Sequence, residues 1–364
     1  MKIMLFIPSL KGGGAERMFV SLSNALSQEN EVYLVTLDPL GAYFDNICKE
    51  VNVVIINKNR AIFSIKKLSM LVLRHKPDIL LTGLMHANIV GIIVKLILFC
   101  LGHKTRLIIS ERNFVRPPIF GKLPLKSVVV VVVSKLLYKY ADSIVCVSDV
   151  VRQSVISVLN VPESLVTTIY NPVVDERLKL HISLLDRDKS RPEKVIVAAG
   201  RLVPNKNHYL LIKAFYILSK DYDARLVILG EGELRQELED LVVSLGISNL
   251  VQFFGFVKDP FSVFANSDLF VSTSIIEGLP GAMIQAMLCD LPIISTSCKG
   301  VAEEVLCNGK YGIIIPDNSS PDLLSSVMIK SLTSAHQFQE KKRATEFDTN
   351  NALRSYTNLF NSLI

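Results

Sequence analysis

The residues best suited to chemistry sit on loops between a buried strand pattern and a helix pattern. Ser272-Thr273-Ser274-Ile275-Ile276-Glu277-Gly278-Leu279-Pro280-Gly281 leaves the apolar run 269–271 and enters Met283, Ile284 and Met287 at helical spacing. Pro280 falls where a first helical residue would sit, its fixed φ and missing donor doing no harm there. A helix starting straight after a buried strand offers unpaired N–H groups and a positive dipole end, which suits phosphate. Gly278 and Gly281 let a ligand lie against the backbone, with the Glu277 carboxylate beside it. Taken alone, the same pattern also fits an ordinary strand–loop–helix unit with a surface Glu.

A second loop, Gly200-Arg201-Leu202-Val203-Pro204-Asn205-Lys206-Asn207, follows the strand pattern 195–199. It carries two cations five residues apart at a strand's C-terminal end, where open α/β sheets bind ligands. A diphosphate is their natural client, with Arg201 as a bidentate fork and Lys206 as a point charge. Solvated loop charges are the plain alternative. Gly230-Glu231-Gly232-Glu233-Leu234 opens another helix after a further strand, a weak signal by itself. Gly12-Gly13-Gly14 after the first strand supplies two glycines of a dinucleotide fingerprint, with Asp38 ending the second strand. Arg17 stands where the third glycine would permit close helix packing, which disfavours a nicotinamide reading. A tight turn explains that loop as well.

The elements that carry these loops alternate. Short apolar strands are expected at 3–8, 32–37, 51–56, 79–84, 107–110, 143–147 and 167–170. A second series follows at 195–199, 225–229, 251–254, 269–271, 293–296 and 312–315. Helical patterns lie between most of them, which predicts parallel sheets covered on both faces. The six consecutive valines 128–133 favour a strand by β-branching, but helical spacing continues through Lys135, Leu136 and Lys139, so a helix is expected. Residues 173–194 are dense in charge without a period and read as a linker between domains 1–172 and 195–348.

A chain of 364 residues predicts about two domains of roughly 150 residues each. With 49% apolar and 20% charged residues it is a folded protein, not a disordered one. Residues 1–170 hold 20 Lys and Arg against 11 Asp and Glu, so the first half is the one that prefers an anionic surface. The six cysteines show no CxxC pair or ligand spacing, which points to a reducing cytoplasm and no structural metal. The N-terminal apolar run is too short for a signal peptide, and the longest apolar stretch, 89–101, falls short of the ~20 residues that span a bilayer.

In order along nearly the whole chain, Gly-Gly-Gly-Ala-Glu-Arg, Gly200-Arg201 with Lys206-Asn207, Gly230-Glu231-Gly232-Glu233-Leu234, and Glu277-Gly278-Leu279-Pro280 resemble the retaining, metal-independent glycosyltransferases of family four. The resemblance implies the α/β GT-B architecture of two facing Rossmann-like domains, with the sugar nucleotide held mainly by the second. It implies that Arg201 and Lys206 stabilise the leaving diphosphate and that Glu277 meets the donor sugar. It implies that Gly230, Glu231, Gly278, Leu279 and Pro280 belong to the donor site, and that Gly13 and Gly14 let the first domain close over the phosphates. A final helix, 349–364, would return to the first domain.

Two departures stand out. The family's second Glu, which binds the nucleotide ribose, is replaced by Gln285; an amide still accepts from one hydroxyl, so weaker binding is expected. Where many members carry a first-domain His, this chain has Arg112 after the strand 107–110, which leaves His86 as the catalytic candidate against a structural role. The basic helix 62–76 with Lys66, Lys67 and Arg74, and the series Lys122, Lys126, Lys135 and Lys139, suit an anionic bilayer or a lipid diphosphate; solvated faces are the alternative. The expectation is a cytoplasmic, membrane-peripheral transferase moving a hexose or N-acetylhexosamine, UDP-sugar favoured, to a lipid-linked or surface-polysaccharide glycan. It needs no metal or other cofactor and binds no nucleic acid. The alternatives are a sugar-nucleotide epimerase, a glycogen-type synthase, or a non-catalytic nucleotide-sugar-binding protein.

Overall fold

The computed structural model describes residues 1–11, 13–117, 125–186, 193–334 and 338–364. Gly12, Lys122, His336 and part of the expected linker lie outside them. The chain divides into two compact units, one of Met1–Pro172 with Thr349–Ile364, the other of Val173–Asp348.

In the first unit, strands β1 (Lys2–Phe6), β2 (Glu31–Thr36), β3 (Asn52–Ile55), β4 (Ile79–Gly83), β5 (Arg106–Glu111), β6 (Ser143–Cys146) and β7 (Val166–Thr168) form one parallel sheet. Its order is β3-β2-β1-β4-β5-β6-β7. Parallel neighbours need a crossover, and each crossing helix covers a sheet face, so strands such as Ile3-Met4-Leu5-Phe6 are wholly buried. Order reverses between β1 and β4, where Leu5 lies level with Leu81. The helix Gly14–Leu26 buries Met18, Phe19, Leu22 and Leu26 on one side of this sheet. Against it packs the helix Thr349–Leu363, whose buried Ala352, Tyr356 and Phe360 recur every four residues, the last two entering the same core.

The six valines lie in the helix Leu125–Leu137. Val128, Val131 and Ser134 face inward at helical spacing, while Val129 and Val132 face out. The charged stretch after residue 172 departs from the linker expectation, because Glu176–Ser183 is a helix. Asp175 caps it by accepting from the Leu178 N–H at 2.7 Å, and Leu178 and Ile182 bury one face. Lys179 pairs with Asp348 at 2.8 Å. Eight residues are too few for a period to show in sequence.

The second unit repeats the plan with β8 (Lys194–Ala199), β9 (Ala224–Leu229), β10 (Val251–Gly255), β11 (Leu269–Ser272), β12 (Ile293–Thr296) and β13 (Ile313–Ile315), in the order β10-β9-β8-β11-β12-β13. Here the reversal lies between β8 and β11. The helices His208–Leu218 and Pro321–Thr333 pack together over this sheet.

A polar cluster is enclosed in the first unit at the C-terminal end of β5. Asn88 donates to Glu111 Oε1 at 2.9 Å and to the Ser110 carbonyl at 3.0 Å, and accepts from Thr82 Oγ1 at 2.8 Å. Tyr138 also donates to Glu111. Burial pushes the Glu111 carboxyl up to about 7, against the lowering effect of the Tyr138 and Asn88 hydrogen bonds. A carboxyl whose folded-state pKa is raised binds more protons folded than unfolded, so stability falls as pH rises between about 4.5 and 7. Glu111→Gln should flatten that part of the profile in thermal unfolding at pH 5 and pH 8. An unchanged pH dependence would show that Glu111 does not titrate in this window.

Candidate functional site

In an open α/β sheet, ligands bind outside the carboxyl ends of the strands where the order reverses. In the second unit that point lies between β8 and β11. The loop after β8 carries Arg201 and Lys206, and the loop after β11 carries Glu277. Residues 71 positions apart in sequence thus become neighbours, and Lys206 Nζ donates to Glu277 Oε1.

The two loops are sewn together. Ile275 N–H donates to the Asn205 carbonyl at 2.8 Å, and Thr273 Oγ1 donates to the Lys206 and Asn207 carbonyls at 3.1 and 3.0 Å. Ser274 Oγ donates to Glu277 Oε1 at 2.8 Å, so one carboxylate oxygen receives both the hydroxyl and the ammonium. The side chains of Lys206 and Glu277 are 19% and 14% exposed, enclosed enough for their geometry to be fixed yet open to a ligand. Arg201 is exposed, and among the described residues its guanidinium has no hydrogen-bond or ion-pair partner. Beyond Glu277 and the buried Gly278, the helix Gly281–Leu288 begins. Pro280 is its N-cap with ψ 80°, not its first helical residue, because that ψ lies outside the helical region.

The loop after β9 closes the third side. Leu202 N–H donates to the Glu231 carbonyl at 2.9 Å, and Leu234 N–H donates to the Leu202 carbonyl at 3.0 Å. Gly230 has φ +148°, and a Cβ there would lie 1.9 Å from the Gly200 carbonyl oxygen, so only glycine permits this approach. The Glu231 side chain is held by Arg235 one turn on. Gln285 is 8% exposed on the helix Gly281–Leu288.

Two further residues lie close by, and sequence gave no sign of either. His208 opens the next helix at 5% exposure; burial and then the nearby Lys206 ammonium lower its pKa to about 4, so it is neutral at physiological pH. Cys298 is buried with φ +52°, and burial and then the Glu277 charge push its thiol far up, leaving it inert as a nucleophile. The Ser274 and Thr273 contacts were legible only as hydroxyls preceding an acid.

In the first unit, Gly13 and Gly14 follow β1 and His86 follows β4, flanking that sheet's own reversal. A Cβ on Gly14 would meet open space. His86 is exposed in the first turn of the helix Met85–Cys100, after Leu84 at φ +76° and ψ 138°, a strained conformation for a side chain of that size. Arg112 is a correction. It is 6% exposed, donates to Asn171 Oδ1 and to the Tyr356 hydroxyl at 3.3 Å, and lies 5.4 Å over the Phe19 ring. A guanidinium so enclosed anchors the last helix and is not open to an acceptor or a bilayer. Lys66, Lys67 and Arg74 are exposed, and the Lys67 ammonium also donates to the Ile56 carbonyl at 2.8 Å. Asp38, which the dinucleotide fingerprint would set against a ribose, pairs instead with Lys11 at 2.6 Å. Among the described residues no group of three or more His, Cys, Asp or Glu is arranged to hold a metal ion.

Residues 12–177 match the family model described as Glycosyltransferase Family 4, and residues 186–350 the one described as Glycosyl transferases group 1. An uncharacterized glycosyltransferase of Methanocaldococcus jannaschii is 32% identical over 68% of this chain and 66% of its own. From Campylobacter jejuni, N-acetylgalactosamine-N,N'-diacetylbacillosaminyl-diphospho-undecaprenol 4-alpha-N-acetylgalactosaminyltransferase is 28% identical over 95% of this chain and 96% of its own. The solved structure of Anabaena HepE in complex with UDP superposes with a TM-score of 0.78 at 20% identity, covering 100% of both chains. A glycosyltransferase from Rickettsia africae gives 0.81 at 17% identity over 99% of this chain and 98% of its own. With both halves matched and both sheets of the expected parallel kind, the chain belongs to the family 4 and group 1 glycosyltransferases, on the GT-B fold.

Proposed function

We propose that this glycosyltransferase moves a hexose or N-acetylhexosamine from a UDP-sugar to a lipid-linked or surface-polysaccharide glycan, retains the anomeric configuration, and uses no metal. The observation that carries the reading is the Lys206–Glu277 pair at the β8/β11 reversal, with Arg201 on the same loop. The acceptor class is supported by two Campylobacter jejuni relatives whose names specify transfer of N-acetylgalactosamine to undecaprenol diphosphate-linked sugars. UDP is favoured because solved structures of similar fold contain it.

In this mechanism the second unit answers the charge that develops as the nucleoside diphosphate leaves. Arg201 takes phosphate oxygens in bidentate fashion. Lys206 has three donors, so it can keep Glu277 while another N–H meets the diphosphate. The N–H groups at the start of the helix Gly281–Leu288 add to the same field. Glu277 is oriented by Ser274 and Lys206 to meet the donor sugar, and Gly230, by letting its loop close against Gly200, shapes the donor side of the site. Gln285 takes the ribose. To the first unit the family resemblance assigns a catalytic His86 and a phosphate-binding role for Gly13 and Gly14. The enzyme works at the inner face of a membrane, which would bring it to a lipid-borne acceptor.

Removing one preorganised donor from such a site typically costs ~10²–10³ in rate. Arg201→Ala should fall in that range and Lys206→Ala close to it, with the double variant less than additive because both serve one diphosphate. Activity should survive excess EDTA; loss to chelator with recovery on adding magnesium or manganese would overturn the metal-independent mechanism. Glu277→Gln should lower kcat far more than it weakens donor binding by calorimetry, whereas equal losses would reduce Glu277 to a binding contact. Gln285→Glu should tighten UDP binding about fivefold by restoring a charged acceptor. Unchanged or weaker binding would mean that Gln285 does not serve the ribose.

A further inference from the structure

Nine of the thirteen residues of the helix Leu125–Leu137 are apolar, a content that normally belongs to a helix buried on most sides. Here only half of it is covered. Val128, Val131 and Ser134 face the unit's interior, whereas Leu125, Val129, Val132 and Leu136 are 69%, 51%, 42% and 63% exposed. Their spacing of four, three and four residues draws a single apolar stripe along the outer side.

Its neighbours expose apolar side chains as well. The helices Ile65–His75, Met85–Cys100 and Leu125–Leu137 pack side by side. The middle one exposes Ile97 and Phe99, with Leu101 just beyond it, and the first exposes Met70 and Leu73 after Ile62 and Phe63. A contiguous exposed apolar surface marks a place where something docks.

Charge names the occupant. Residues 61–77, 85–106 and 125–141 hold no Asp or Glu, yet they carry Lys66, Arg74, Lys76, Lys104, Lys126, Lys135 and Lys139 on exposed positions. Of the two acids that directly follow these segments, Asp78 accepts from the Lys2 N–H at 2.7 Å, and Asp142 pairs with Lys95 at 2.6 Å and Arg106 at 3.4 Å. Lysines bordering an apolar stripe can lay their stems along it and lift their ammonium groups to a headgroup layer. Thirteen residues make a helix of only about 20 Å, too short to cross a bilayer but suited to lying in its interface.

We propose that the outer side of Leu125–Leu137, extended by Phe99, Leu101, Met70 and Leu73, docks on an anionic lipid bilayer, with Lys126, Lys135 and Lys139 meeting the headgroups. This deepens the membrane-peripheral reading by naming the surface, and its test is independent of sugar transfer.

The full chain should co-sediment with phosphatidylcholine vesicles containing one-third phosphatidylglycerol and only weakly with phosphatidylcholine alone. Losing three lysines at about fivefold each should weaken anionic-vesicle binding of Lys126→Gln/Lys135→Gln/Lys139→Gln roughly a hundredfold. Val129→Asp/Leu136→Asp should abolish binding to both vesicles, while Val243→Asp, at an exposed position of the second unit, should bind as wild type. Because the altered side chains are exposed, all variants should keep the wild-type melting temperature and UDP affinity. The assignment is overturned if Val129→Asp/Leu136→Asp still sediments, or if lysine loss is silent. It is overturned equally if the wild type is a dimer by light scattering that this double variant dissolves without loss of vesicle binding. Absent sugar transfer alongside intact vesicle binding would instead count against the proposed reaction alone.

Discussion

Everything in the second unit turns on the pairing of β8 with β11. Parallel strands exit at the same sheet edge, so their following loops must meet, and the reversal of order leaves a gap above them that no crossing helix fills. Into that gap the sequence sends an ammonium from one loop and a carboxylate from the other. The Lys206–Glu277 pair is enclosed on most sides, and both partners lose hydration there. An ion pair of this kind adds little net stability. What it secures is position, since Thr273 and Ile275 fix the same loops by neutral hydrogen bonds and Ser274 adds a charge-assisted one to Glu277.

The first unit is built on a related economy of buried polar groups. Arg112 and Glu111 are adjacent and both enclosed, yet they face different partners. Glu111 is satisfied by Tyr138 and Asn88, binding the ends of two helices to the edge of the sheet. Arg112 reaches Asn171 and Tyr356, so the last residues of the first stretch and the final helix share one guanidinium. Losing it would leave buried acceptors unpaired, which costs more than the bond itself contributed.

The departures from the family pattern also take on physical meaning. Gln285 is almost fully covered on a helix whose other residues are apolar, a setting in which a neutral amide avoids the desolvation a carboxylate would suffer. Arg112, standing where many family members carry an imidazole, is part of the scaffold. His86 stands at the sheet's reversal, on a helix start entered through a strained Leu84.

Fold class was legible in the sequence because buried parallel strands must be short and apolar and must alternate with helices. Among the described residues the thirteen strands fall within a residue or two of the places that pattern marks, and the valine run folds as a helix. Local signals stopped where local periods were too short, as in the helix Glu176–Ser183, or where a proline's position hung on one ψ angle, as at Pro280. Sequence also named Arg201, Lys206 and Glu277 as separate loop residues. Only the tertiary structure brings the last two into contact, because strand order is set by long-range packing and leaves no local trace. For the same reason it alone decides that Arg112 is enclosed while the stripe of Leu125, Val129, Val132 and Leu136 is bare: burial depends on what packs against a residue, not on its type.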